Sequence, residues 1–168
     1  MMLVVSCNNN RTADDSMAGE EPTLTVVEQA ITETGYVDLG LPSGTRWAAT
    51  NEVKEDGDIY FNYDEAVRCY GDLLPTNVQW KELKDYCRWD WMGSGYVVTG
   101  PNGHCFRLPA AGNRGCNGVV SNDGADGRYW SSTPGGQDYA WRLYFDRWEV
   151  GMYYDNFCHG FSVRLVQD

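Results

Sequence analysis

The 168-residue chain has no apolar run approaching the ~18 residues that a membrane-spanning helix needs. Positive charge is scarce: 13 Lys and Arg stand against 24 Asp and Glu, for a net charge of −11. Binding a phosphate backbone requires clustered cations, so no nucleic-acid partner is expected. An acidic surface also repels copies of itself, and the chain reads as a monomer. Histidine occurs twice, as His104 and His159, and neither has an acid–base partner in the sequence that would make a catalytic triad. The chain is therefore not expected to be an enzyme. None of the six cysteines (Cys7, Cys69, Cys87, Cys105, Cys116 and Cys158) forms a CxxC pair, so the spacing of a structural zinc site is missing. No segment gathers the six to eight oxygen ligands that calcium takes, and Asn122, Asp123 and Asp126 read as a solvated turn. No metal and no cofactor are expected.

Aromatic residues and glycine are abundant, with 7 Trp, 11 Tyr, 5 Phe and 19 Gly. At this length the simplest organisation is one loop-rich α+β domain with a tail. Residues 1–34 read as a truncated lipoprotein signal and polar tether. Val4-Val5-Ser6-Cys7 ends like a lipobox, with Cys7 as the lipid-carrying thiol, although the apolar region is short and lacks a basic flank. Asn8 to Glu21 is polar and acidic, as a solvated tether requires. With Cys7 set apart, five cysteines remain, too odd a number for a closed disulfide framework. Cys69, Cys87 and Cys105 read as small buried hydrophobes. Cys116 and Cys158 are the two that could meet in space.

The folded domain spans 35–168. Tyr36 to Leu41, the Pro42-Ser43-Gly44 turn and Thr45 to Thr50 predict a hairpin. A short helix is expected over Tyr63–Tyr70, capped by Asn62 and stopped at Gly71. A second starts at Thr76, whose capping box with Gln79 precedes Trp80, Leu83 and Cys87 on one face. Gly95–Thr99 and His104–Leu108 predict another hairpin, and a glycine-rich passage runs from Ala110 to Gly127.

The stretch from Tyr129 to Val166 carries the most information. In Ala140–Asp146, Trp141, Leu143 and Phe145 share one parity while Arg142, Tyr144 and Asp146 share the other, as in a half-buried strand. A second strand is expected over Trp148–Tyr154, with Val150 and Met152 inward. A third is expected over Phe161–Val166, with Val163 and Leu165 inward. The connection Tyr153 to Gly160 holds three aromatics, a cysteine and a histidine, which turn chemistry does not require.

Tyr36-Val37-Asp38-Leu39-Gly40-Leu41-Pro42-Ser43-Gly44-Thr45-Arg46-Trp47-Ala48 resembles the opening of the major paralogous domains of gut bacterial surface lipoproteins. Leu74-Pro75-Thr76, Leu108-Pro109-Ala110-Ala111-Gly112, Tyr129-Trp130-Ser131-Ser132-Thr133 and Ser162-Val163-Arg164-Leu165-Val166 continue the likeness. The resemblance implies a C-type lectin-like fold of the formylglycine-generating-enzyme subtype, with short antiparallel strands, one or two helices and long glycine-rich loops. The C-terminal part resembles the variable region, about residues 112–161, of a diversity-generating retroelement target protein. In such proteins error-prone reverse transcription at template adenines rewrites chosen codons, mostly Asn codons. Rewriting the first two bases of AAC or AAT cannot give Trp, Met, Lys, Gln or Glu. Arg142, Tyr144, Asp146, Gly151, Tyr153 to His159 and Phe161 fall in the reachable set, whereas Trp141 and Met152 do not. Gln137, Trp148 and Glu149 also fall outside it.

The resemblance implies a surface-displayed ligand-binding protein on an outer-membrane lipid anchor at Cys7. Its ligand would be a protein or glycan on another cell or a phage. The expected face comprises Arg142, Tyr144, Asp146, Tyr153, Tyr154, Asp155, Asn156, Phe157, Cys158 and His159. Asp138 and Tyr139 lie at its edge, and Trp148 joins as an unvaried neighbour. The rival is an undiversified structural or adhesive surface domain. A calcium-dependent sugar site is not expected, since no Glu-Pro-Asn, Gln-Pro-Asp or Trp-Asn-Asp motif occurs.

Overall fold

A computed structural model describes residues 35–168; the expected tether and the Cys7 lipidation site lie outside the described residues. In chain order the elements are β1 (Tyr36–Asp38), β2 (Arg46–Ala48), α1 (Tyr63–Tyr70), a 3-10 turn (Gly71–Leu73), α2 (Asn77–Tyr86), β3 (Arg88–Trp91), β4 (Gly95–Thr99), β5 (Cys105–Pro109), β6 (Asn113–Arg114), β7 (Val120–Ser121), β8 (Asp126–Pro134), β9 (Tyr139–Asp146), β10 (Val150–Asn156) and β11 (Val166–Gln167). Among the described residues this is an α+β fold of two α-helices and four small antiparallel sheets, ordered β1-β2-β11, β3-β4-β5, β6-β7 and β10-β9-β8.

Both helices start on reciprocal caps. The Asn62 side chain accepts from the Glu65 N–H while the Glu65 carboxylate accepts from the Asn62 N–H, and Thr76 and Gln79 repeat the arrangement. Each pair satisfies two backbone donors that helix geometry leaves open. The α2 helix turns Trp80 and Leu83 into the core, both 0% exposed.

Sheet β10-β9-β8 separates two apolar clusters. On one side Tyr129, Leu143 and Phe145 pack with Trp80, Leu83, Trp47, Val98, Phe106 and Leu108. On the other, Trp130 and Ala140 pack with Phe61, Tyr63, Ala66, Leu74, Phe161 and Val163. Successive side chains of a strand point to opposite faces, so the neighbours Tyr129 and Trp130 feed different clusters. Gly127 lies opposite Phe145, and a Cβ there would run into the Phe145 ring. Past Trp130 the β8–β9 register shifts, and the bulged segment bonds elsewhere. Ser132 N–H donates to Pro75 O at 2.9 Å and Tyr63 Oη donates to Ser132 O at 2.9 Å, which ties the sheet to α1 and to the segment leading into α2.

Three sequence expectations change. Trp141 is half-buried rather than core: it lies opposite Tyr154 and meets that ring edge to face instead of joining either cluster. Phe161–Val166 is not an alternating strand: every residue in it is buried, and only Val166–Gln167 pairs as β11. It runs between the clusters, so both parities are covered. Its Arg164 is 1% exposed and donates from Nε to Asn51 Oδ1 (2.8 Å), from Nη1 to Ala48 O (2.8 Å) and from Nη2 to Arg107 O (2.6 Å). Burial lowers its pKa to about 10. The third change concerns the thiols. Cys69 is exposed, Cys87 is half-buried with its side chain against the first cluster, and Cys105 is half-buried and disulfide-bonded, so only Cys87 keeps part of the expected role.

Candidate functional site

The β9–β10 hairpin brings most of the sequence-selected residues together. Its register sets Tyr153 opposite Arg142, Tyr154 opposite Trp141, Asp155 opposite Ala140 and Gly151 opposite Tyr144. Arg142, Tyr144, Tyr153 and Asp155 therefore share one face, whereas Tyr139, Trp141, Tyr154 and Asn156 share the other.

On the first face Arg142 is the hub. Its Nε donates to Asp155 Oδ2 at 2.7 Å, and its guanidinium lies 5.4 Å from the Tyr144 ring, 5.6 Å from Tyr153 and 5.5 Å from Phe161. These rings roof it, so Arg142 is 9% exposed and its Nη1 is buried without a hydrogen-bond partner. Burial lowers its pKa, against the pull of Asp155. The outward parity of Arg142 is thus met in register but not in exposure. Tyr144 and Tyr153 meet edge to face at 5.8 Å. Tyr144 Oη donates to Asp146 Oδ2 (3.2 Å) and Tyr153 Oη to Glu149 Oε1 (3.0 Å). Arg128 joins from β8, over the Tyr144 ring and paired with Asp126. That pairing commits Asp126, so the 122–126 turn is held by protein contacts.

The hairpin turn is built by Asp146, whose Oδ1 accepts from Trp148 N (2.7 Å) and Glu149 N (3.0 Å). These bonds, the Trp148 one first, lower its pKa. Asp146 is thus a turn-former as well as a face residue. Trp148 projects from the turn at 80% exposure with Arg147 over its ring. At the other end Tyr139 (44% exposed) and Trp141 both meet Tyr154 (59%) edge to face. Asp138 is exposed, and its carbonyl accepts from Phe157 N.

Beyond β10 the expected face divides. Phe157 stacks on Tyr63 with centroids 4.4 Å apart and is half-buried against the second core cluster, so its ring closes the fold. Asn156 Oδ1 accepts from Cys158 N and shapes the return loop. Cys158 is bonded to Cys116, 42 positions earlier, with Cα atoms 5.1 Å apart. His159 stacks on Phe161, and its Nε2 lies 3.7 Å from Asp155 Oδ1.

The same region has a firm base. Arg114 and Gly160 exchange backbone bonds of 2.8 Å in each direction. The Arg114 guanidinium meets Asp58 twice, at 2.8 and 2.9 Å, and lies over the Tyr60 ring. A Cβ at Gly160 would sit 3.0 Å from the Cβ atoms of both Arg114 and Tyr60. Burial pushes the Asp58 carboxyl up, but Arg114, the Tyr60 N–H and Lys54 outweigh it and hold the pKa at about 2. Neither the Arg128 contribution nor the Arg114–Asp58 base was singled out from sequence, since both are long-range contacts.

A family model described as a domain of unknown function (DUF8237) matches residues 102–166. That segment contains the hairpin, the Cys116–Cys158 disulfide and all thirteen residues of the expected face. No curated protein and no solved structure matches the chain.

Proposed function

We propose that this is a surface-displayed ligand-binding domain of C-type lectin-like fold, whose binding face is the β9–β10 hairpin and whose exposed codons are rewritten by a retroelement. The observation carrying the reading is the exposure of Trp148 at the hairpin tip, of Tyr153 on one side and of Tyr139 and Tyr154 on the other, around strand centres, Leu143 and Phe145, that are fully buried. Tyr and Trp give large contact area at low rotamer cost, and interface anchors are drawn from them. Short antiparallel strands, two helices and the glycine-rich 110–127 passage agree with the lectin-like fold that the sequence resembles. Lipid anchoring through Cys7 would place the domain on the outer face of a bacterial envelope. The Cys116–Cys158 bond is of the kind that persists in oxidising compartments and supports that location. No helix among the described residues is long and apolar enough to cross a membrane.

The undiversified adhesive reading draws on Arg142 and Phe157, which are packed into the fold although their codons lie in the reachable set. Sequencing the gene and its flanks across a bacterial population separates the two. Diversification predicts substitutions concentrated at 144, 153, 154, 155 and 159, constant codons for Leu143 and Phe145, and a nearby template repeat with a reverse transcriptase. Substitutions spread evenly along the domain, or no template repeat, would leave the adhesive reading.

A further inference from the structure

The Cys116–Cys158 bond has a third potential ligand beside it: one donor atom each from Cys116, Cys158 and His159 lie within 4.8 Å of one another. We propose that reduction of this bond converts the site into a binding site for a thiophilic d10 cation of the zinc(II) class, held by the two thiolates and the His159 imidazole.

The backbone keeps the sulfurs near each other without the S–S bond. Arg114 and Gly160 form a doubly hydrogen-bonded antiparallel bridge, and the cysteines lie two residues along from it in the same direction, one on each strand and so opposite each other. Arg114 is fixed in turn by its fork on Asp58. On the Cys116 side the chain is closed by Gly115 N to Val119 O and Gly118 N to Gly115 O, each 2.8 Å. On the Cys158 side Asn156 accepts from both Cys158 N and His159 N. Opening the bond therefore leaves two thiols on anchored turns.

The imidazole is prepared in the way metal-bound histidines are. Ligating histidines usually turn the second ring nitrogen to a carboxylate. Asp155 Oδ1 lies 3.7 Å from His159 Nε2, close enough for the carboxylate to take that role with a small movement and leave Nδ1 to an ion. That Nδ1 is buried and has no hydrogen-bond partner. Two sulfurs and one nitrogen suit zinc, with water completing a tetrahedron. Exposure of Cys116 and Cys158 gives both reductant and ion a path in.

A dithiol reductant attacks one sulfur and breaks the Cys116–Cys158 bond through a mixed disulfide. It leaves as its own disulfide, having transferred two electrons and two protons to give two thiols. Zinc(II) then displaces one proton from each thiol, with no further electron transfer. Asp155 bonds Arg142 as well as facing His159, so ion loading would also reach the hairpin face.

The test is zinc competition against a chromophoric chelator, using the full chain before and after reduction with a phosphine, with circular dichroism recorded in parallel. The reduced, folded protein should take up one zinc per chain and the oxidised protein none. Cys116→Ser with Cys158→Ser should abolish uptake, His159→Gln should weaken it at least about tenfold, and Cys69→Ser should leave it unchanged. Absence of uptake by reduced protein, uptake that survives the double serine change, indifference to His159→Gln, or loss of fold on reduction would each overturn the proposal. The proposal does not rest on the ligand-face reading: zinc uptake is read on the chain alone, with no ligand for the hairpin present.

Discussion

Single side chains settle how firmly the hairpin is seated, and Asp58 shows it best. Its carboxyl is 20% exposed and carries Arg114, which carries Gly160 and the return from β10. Because its folded pKa is lowered to about 2, the stabilisation is complete above the ordinary Asp value and is lost as pH falls through it towards 2. The expected contribution is about 2 kcal/mol. Thermal melts should show the wild-type Tm falling between about pH 4 and pH 2. Asp58→Asn should start lower at neutral pH and be flatter over that interval; parallel curves would remove the Arg114–Asp58 pair from the account. Arg164 belongs to the same scale. An arginine inside the mostly apolar Phe161–Val166 is visible in the sequence, but its acceptors are two backbone carbonyls and Asn51, which no periodicity reveals.

Between elements, local chemistry was readable and long-range covering was not. The capping boxes at Asn62 and Thr76 depend on residues three apart, so both helices follow from the sequence. The β9 parity was right where α2 supplies a roof, at Leu143 and Phe145, and failed at Trp141, which has Tyr154 as its neighbour instead. The sequence leaves Arg142 and Phe157 on the exposed face, because nothing local says that Tyr153 and Phe161 will cover the first and Tyr63 the second. The Cys116–Cys158 pairing likewise depends on a bridge between segments far apart in the chain. A mutational contrast follows for the hairpin. Leu143→Ala and Phe145→Ala should each cost about 2–5 kcal/mol in chemical denaturation. Replacing Trp148, Tyr153 and Tyr154 together by Ser should cost little, within about 0.5 kcal/mol for each exposed position, while removing the main contact area. If the triple variant unfolds, those rings are structural and the binding face lies elsewhere.

For the whole molecule, net charge of −11 and the proposed lipid anchor describe one arrangement, an acidic domain held off a membrane by a polar stretch. Expressed in a bacterial host with an intact upstream region, the wild-type chain should partition into the detergent phase and Cys7→Ser into the aqueous phase. Equal partitioning would refute the anchor. The sheet β1-β2-β11 bears on architecture beyond this chain. Its outer strands are the first and last of the described domain, and only β2 separates them, so Tyr36 and Gln167 lie two strand spacings across and two residues along from each other, ~12 Å apart. Entry and exit side by side make the domain a cassette. It can be spliced into a surface loop of a host protein without prising the host apart, or joined end to end by a few residues and cut open at the Gly115–Val119 turn.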